Sequence, residues 1–238
     1  MTDVFSFYDA WAETYDDPDF LVACEQPLTL TLCGECAGSR VLEIGAGTGR
    51  ITMELLSRGA TVTAIEPTPN MRACLTAKAA QYIDSGSLRV VAQELREVSP
   101  VEDGFDLVVV PMVVDHLDDV SEVFRLADRA LAPWGVLVVS CVNPYYQLMV
   151  RRGLVCRGDQ RNASVTGAEA TTIEAHCHSF SELFAAGRDS GFIIDDLREA
   201  TVDAMMATTF PEVSSQTGYH VVYAARFVRH PSTSGSGA

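Results

Sequence analysis

Glu43 stands near the end of the run VLEI, and Gly45, Gly47 and Gly49 follow it at two-residue spacing. Glycines after a strand let the chain turn sharply and bring its backbone against a ligand with no Cβ in the way, and the N-terminus of a following helix attracts a carboxylate. A second acid, Glu66, follows the next apolar run, TVTAI, at the carboxyl end of a second strand, where open α/β sheets bind ligands. The spacing is ExGxGxG rather than the GxGxxG of dehydrogenases, which disfavours a nicotinamide cofactor. His116, beside Asp115 in PMVVDHLDD, has the titration range of a general base. Alternatively it opens the next helix, with Asp115 as N-cap. His176 and His178 flank Cys177 in EAHCHSF, where they either face a pocket or cap a helix. Cys33-Gly-Glu-Cys36 has CxxC spacing, but structural zinc draws on two such pairs, and no metal is expected.

These residues need elements to hold them. Residues 3–35 read as helical, with Val4, Phe5, Tyr8, Trp11, Ala12 and Tyr15 spaced along one face and an interruption at Asp16–Pro18. From Arg40 onward short apolar runs (VLEI, TVTAI, LRVVA, FDLVVV, GVLVVSCV) alternate with amphipathic stretches. Strands without polar alternation are buried on both faces, and intervening helices supply right-handed crossovers between parallel neighbours. The expected fold is therefore α/β, a doubly wound, mostly parallel sheet. Residues 145–178 read as a long polar stretch and are expected to form a lid or substrate-binding insertion. A late helix, SFSELFAAGRDSG, leads to strands FIIDDL and YHVVYAARFV, and HPSTSGSGA reads as a disordered tail. One domain over residues 1–230 suffices for 238 residues.

The chain carries a formal charge of −15. That charge opposes binding to phosphate backbones or anionic lipid, so a nucleic-acid or membrane partner is not expected. Seven scattered cysteines, an odd number, do not form a disulfide framework and fit a reducing cytoplasm. The amino terminus lacks the features of a secretory signal. Lys78 is the one lysine among 17 basic residues, a mark of GC-rich coding.

The segment VLEIGAGTGR, with Glu66 one strand later, resembles the first motifs of class I S-adenosylmethionine-dependent methyltransferases, in the small-molecule, quinone-biosynthesis-like branch. The resemblance implies a seven-stranded Rossmann-like sheet with residues 1–35 as a helical cover. It implies that Glu43, Gly45, Gly47 and Gly49 cradle the amino-acid end of the donor, that Glu66 holds the ribose and that Met71 packs on the adenine. Eleven positions before Phe105 the family usually has Asp at the adenine amino group; here Glu94 stands there, with Leu95 offering a backbone N–H. LAPWGVLVVS resembles the family's LxPGGxLxxS turn, with Trp134 in place of the first glycine. The opening FYDAWAETYDD is similar to segments that fold over the cofactor, where Tyr8 and Tyr15 would gain cation–π attraction to a sulfonium, while Trp11 packs the helix. His116 and His178 are the implied bases, and one of Tyr145 and Tyr146 is expected to reach the acceptor. The implied reaction moves a methyl group from S-adenosylmethionine, leaving S-adenosylhomocysteine, to O, N or C of a small molecule. The alternative is a natural-product cyclase of the same fold with a structural cofactor. A monomer or homodimer fits either.

Overall fold

A computed structural model describes residues 3–99, 104–151, 165–166, 172–173 and 175–231. Seven strands form one sheet: β1 (Arg40–Ile44), β2 (Thr61–Ile65), β3 (Leu88–Val91), β4 (Phe105–Pro111), β5 (Leu131–Val142), β8 (Phe192–Thr201) and β9 (His220–Arg229). Their order is β3-β2-β1-β4-β5-β9-β8. The first five are mutually parallel, β9 runs antiparallel to β5, and β8 antiparallel to β9. The fold is the expected α/β, doubly wound, mostly parallel seven-stranded sheet. A two-residue pair, β6 (Val165–Thr166) with β7 (Thr172–Ile173), lies apart from it.

Alternation along the central strands sends side chains into two separate cores. Val41, Leu107, Val109 and Val138 pack with α2 (Phe20–Cys33), α3 (Arg50–Ser57) and α4 (Pro69–Lys78). Leu42, Ile44, Val108, Val110 and Val139 pack on the other face with Phe124 of α6 (Ser121–Ala130) and Leu183 of α8 (Phe180–Asp189). Burial on both faces is why these strands read as unbroken apolar runs. β8, at the sheet edge, instead carries the charged side chains of Asp195, Asp196 and Arg198, which blunt edge pairing.

The break at Asp16–Pro18 separates α1 (Val4–Trp11) from α2, and each starts on a side-chain cap. Asp3 accepts from the N–H groups of Phe5 and Ser6, and Asp19 from those of Leu21 and Val22. The stretch MRACLTAKAAQY, which reads as one helix, is divided at Ala79 into α4 and a short α5 (Ala80–Asp84).

The reading of 145–178 as a polar insertion needs correction at its start. Asn143 accepts from the Tyr145 N–H at 3.0 Å, Pro144 begins the helix, and α7 (Pro144–Arg151) buries Tyr146 and Val150 one turn apart. They join Phe20, Leu21 and Val222 in a third core. Residues 152–164, 167–171 and 174 of the expected lid, and 232–238 of the expected tail, lie outside the described residues. After β8 a short α9 (Ala204–Thr209), capped by Asp203, had no counterpart in the sequence reading.

The Trp134-Gly135 pair in the first half of β5 shows which of the two positions must be glycine. Trp134 is 77% exposed, so the site tolerates a large side chain. A Cβ on Gly135 would lie 2.6 Å from the Phe105 carbonyl oxygen and 2.8 Å from Leu131 Cδ2. Gly135→Ala is therefore expected to cost about 1–3 kcal/mol, whereas Trp134→Ser should stay within about 0.5 kcal/mol. Urea unfolding of the two variants checks the contrast.

Candidate functional site

The chain order reverses direction between β1 and β4, and at that switch point doubly wound sheets open a crevice beyond the carboxyl ends of their strands. A cavity of about 430 Å³ lies there, within the range of small-ligand pockets. Its walls come from the ends of β1 (Ile44, Gly45), β2 (Ile65, Glu66) and β4 (Pro111 to Val113).

The glycine loop is bent as the spacing predicts. Gly45, Gly47 and Gly49 have φ of 69°, 57° and 96°, values that side chains resist. A Cβ on Gly45 would meet Val113 Cγ2 at 2.4 Å. Gly49 occupies the N-cap of α3, which has no side-chain cap. The loop is anchored from below by buried polar pairs. Fully buried Glu25 pairs with Arg50 at 2.6 Å and accepts from the hydroxyls of Thr29 and Ser140.

Glu43 does not reach the cavity, contrary to its expected place on the donor. Its Oε2 accepts from the Thr52 hydroxyl at 2.6 Å, beneath the loop. Burial raises its carboxyl from the usual 4.5 to about 7, against the lowering effects of Thr52 and Arg50. A carboxyl raised on folding favours the native state most when protonated. Its contribution is thus present below about 4.5 and is lost as pH rises to about 7. Glu43→Gln, which mimics the protonated form, is expected to gain roughly 3 kcal/mol on the native protein at about pH 8 and little at about pH 4. Thermal melts at the two pH values measure the difference.

Glu66 is 5% exposed and lines the cavity. Oε2 accepts from the Gly47 N–H and Oε1 from the Thr68 N–H, each at 2.8 Å. A carboxylate has about four lone-pair sites, so each oxygen retains capacity for a ligand hydroxyl. Met71, 1% exposed, and Leu95, 9%, form apolar walls. Glu94 lines the same space and caps the short 3-10 turn Leu95–Glu97. At the rim Arg96 makes a bidentate pair with Glu122, both contacts at 2.6 Å.

The amino-terminal segment covers this cavity. Asp9 holds α1 to the start of α4 by accepting from the Asn70 N–H at 2.8 Å and from its side-chain amide at 3.1 Å. Farther on, Asp16 accepts from the Thr48 hydroxyl at 2.6 Å and pairs with Lys78. The closure brings Tyr8 and Tyr15 into the cavity wall. Burial pushes both phenols up, Tyr15 to about 12. Trp11 is outside the lining and stacks on Tyr8, with Phe7 and Tyr15 at its edges, so it packs the cover itself.

His116 lines the cavity from a short 3-10 turn after β4, Val114–His116. Its Nε2 lies 2.7 Å from the Tyr8 hydroxyl, a contact across 108 residues that the sequence did not reveal. Asp115 is buried, with Oδ1 3.8 Å from Nε2. Just before it, Met112 has φ of 56°, unusual for a residue with a side chain, and no feature of the sequence marked it.

Of the other expected site residues, Gly47 and Gly49 bend the loop without lining the cavity, and three more lie elsewhere. Tyr146 is fully buried and donates to Gln216 Oε1 at 2.7 Å, which makes it a core residue. Tyr145 is 66% exposed, packs its ring on Phe180 and does not line the cavity. His178 is also outside the lining; its Nε2 lies 2.7 Å from the Leu117 carbonyl, while the His176 N–H donates to the Asp115 carbonyl at 2.7 Å. Residues 176–178 thus strap the turn that carries His116. Among the described residues no group of His, Cys, Asp and Glu is placed to hold a metal.

Residues 42–139 match a sequence family described as "Methyltransferase domain". The chain is 32% identical over 107 residues to a "Ubiquinone biosynthesis O-methyltransferase" of Caulobacter sp. (strain K31), covering 44% of this chain and 42% of that protein, less than half its length. It is 29% identical over 175 residues to a protein of the same description from Pseudomonas syringae pv. tomato, covering 68% of this chain and 67% of that one. Among solved structures, an S-adenosylmethionine dependent methyltransferase from Mesorhizobium loti superposes with a TM-score of 0.70 at 22% identity, over 89% of this chain and 100% of the other.

Proposed function

We propose that the chain is a class I S-adenosylmethionine-dependent methyltransferase that methylates a hydroxyl oxygen of a small metabolite, a reading supported by its match to the methyltransferase family over residues 42–139 and by its O-methyltransferase relatives. The observation that carries this reading is the joint placement of Glu66, Gly45 at the start of the bent glycine loop, and buried Met71 around one cavity at the sheet's switch point. These residues fit the donor. Gly45 lines the cavity and, at φ 69°, turns the chain there with no side chain of its own. Glu66 has lone pairs for ribose hydroxyls, Met71 and Leu95 offer apolar walls to the adenine, and Glu94 stands where its amino group would be met.

When bound, S-adenosylmethionine supplies a methyl group already activated on a sulfonium. The chain's own task is then alignment and exclusion of water, and alignment of reacting groups is worth roughly 7–11 kcal/mol in favourable cases. Tyr8 and Tyr15 close over the cavity and keep water out, and their faces suit a sulfonium. His116 serves as the base that a hydroxyl acceptor requires. Oxygen is favoured over nitrogen or carbon because the ubiquinone-pathway relatives are described as O-methyltransferases and because a base stands in the cavity wall. The lysine-poor composition fits specialised metabolism in a GC-rich bacterium, and the charge of −15 fits a small acceptor in the cytoplasm rather than a nucleic acid. No described helix is long and apolar enough to cross a membrane.

The test is incubation of the purified chain with S-adenosylmethionine and a panel of small phenols and catechols, with S-adenosylhomocysteine release as the readout. Release that depends on acceptor supports methyl transfer. Donor binding without release from any acceptor would favour the cyclase reading.

A further inference from the structure

We infer that Tyr8 is the proton relay between the acceptor and His116, a role that rests on the methyl-transfer reading and goes beyond it. The two side chains come from opposite ends of the site, Tyr8 from the covering helix α1 and His116 from the turn after β4. They meet with 2.7 Å between the hydroxyl and Nε2 and with their rings edge to face, centroids 5.3 Å apart.

Relative acidity selects the direction of that contact. A phenol is a much stronger acid than a neutral imidazole N–H, and a bare imidazole nitrogen is a much stronger base than a phenol oxygen, so Tyr8 donates to Nε2 and His116 carries its proton on Nδ1. Nδ1 is buried and has no hydrogen-bond partner among the described residues, so nothing there opposes that tautomer. In that arrangement the Nε2 lone pair is already occupied by Tyr8, and His116 cannot reach an acceptor directly.

The proton therefore travels in two linked moves. The acceptor O–H bond breaks and its proton joins the Tyr8 oxygen, while the Tyr8 O–H bond breaks and that proton joins Nε2. The electron pair left on the acceptor oxygen forms the bond to the methyl carbon, and the carbon–sulfur pair stays with sulfur. Tyr8 ends as it began, a neutral phenol, and the charge rests on the imidazolium, which faces Asp115 Oδ1 at 3.8 Å. Burial suits Tyr8 to pass a proton on rather than to ionise, since it raises the phenol well above 10. Because Tyr8 rides on α1, the relay is complete only when the Asp9–Asn70 contact holds the cover shut.

Long-range ¹H–¹⁵N correlation spectra of histidine-labelled protein test the relay without any acceptor. At about pH 8, where an ordinary imidazole is neutral, His116 is expected to show a bare Nε2 and a protonated Nδ1. His116→Gln identifies its signals. In Tyr8→Phe, which keeps the ring and removes only the hydroxyl, the Nε2 signal should lose its hydrogen-bond shift and the second tautomer should appear. A proton on Nε2 in the native protein, or a His116 spectrum identical in Tyr8→Phe, would overturn the relay. The native tautomer decides the matter even if the variant does not fold. Adding S-adenosylhomocysteine to the same sample separates the two levels of the argument: no response anywhere in the spectrum contradicts the donor site, whichever tautomer is present.

Discussion

Glu66→Ala is expected to weaken S-adenosylhomocysteine binding by roughly 10² to 10⁴ fold, the largest loss of donor affinity from one side chain in the cavity. The magnitude follows from two charge-assisted hydrogen bonds to the ribose, each worth about 1.5–3 kcal/mol, converted at about 1.4 kcal/mol per tenfold. The same carboxylate accepts from the N–H groups of Gly47 and Thr68, so its removal also leaves both loops without their tie. Glutamine is not a rescue: its NH2 would face one of those two N–H groups, donor against donor. Titration calorimetry of native, Glu66→Ala and Glu66→Gln protein should rank both variants far below the native chain. Native-like affinity in Glu66→Gln would mean that the charge is not what holds the donor.

His116→Gln is expected to act on the other half of the reaction. Turnover of a small phenolic acceptor should fall by roughly 10² to 10⁴ fold, the usual worth of a general base, while affinity for S-adenosylhomocysteine stays near native. The separation arises because Glu66 follows β2, Met71 stands on α4 and Leu95 on the 3-10 turn after β3, whereas His116 stands on the turn after β4. His178→Ala should cost far less, because that ring lies outside the cavity and touches it only through the Leu117 carbonyl. If neither histidine variant slows an acceptor that the native chain methylates, alignment alone carries the reaction.

The sheet was legible because VLEI, TVTAI and FDLVVV are buried on both faces, and burial on both faces writes an uninterrupted apolar run. The donor cavity was legible for a related reason: glycine spacing reports backbone conformation directly, and Gly45, Gly47 and Gly49 all take positive φ. Side-chain direction is not written in that way. Glu43 sits next to last on its strand, yet it points beneath the loop to Thr52. Tyr145 and Tyr146 are adjacent on α7, so at about 100° per residue one turns to solvent and the other into the core. The Asn143-Pro144 pair carried a helix-start signal that the polar residues after Arg151 obscured. The Tyr8–His116 contact had no local signal, since it exists only once α1 folds back across the sheet.

The most direct test of the donor site is a crystal structure of the chain with S-adenosylhomocysteine. The expected density places the ribose hydroxyls on Glu66, the adenine between Met71 and Leu95, and the amino-acid end against the Gly45–Gly49 loop beneath Tyr15. A ligand bound elsewhere, or a ribose that leaves the Glu66 carboxylate to Gly47 and Thr68 alone, would contradict the assignment.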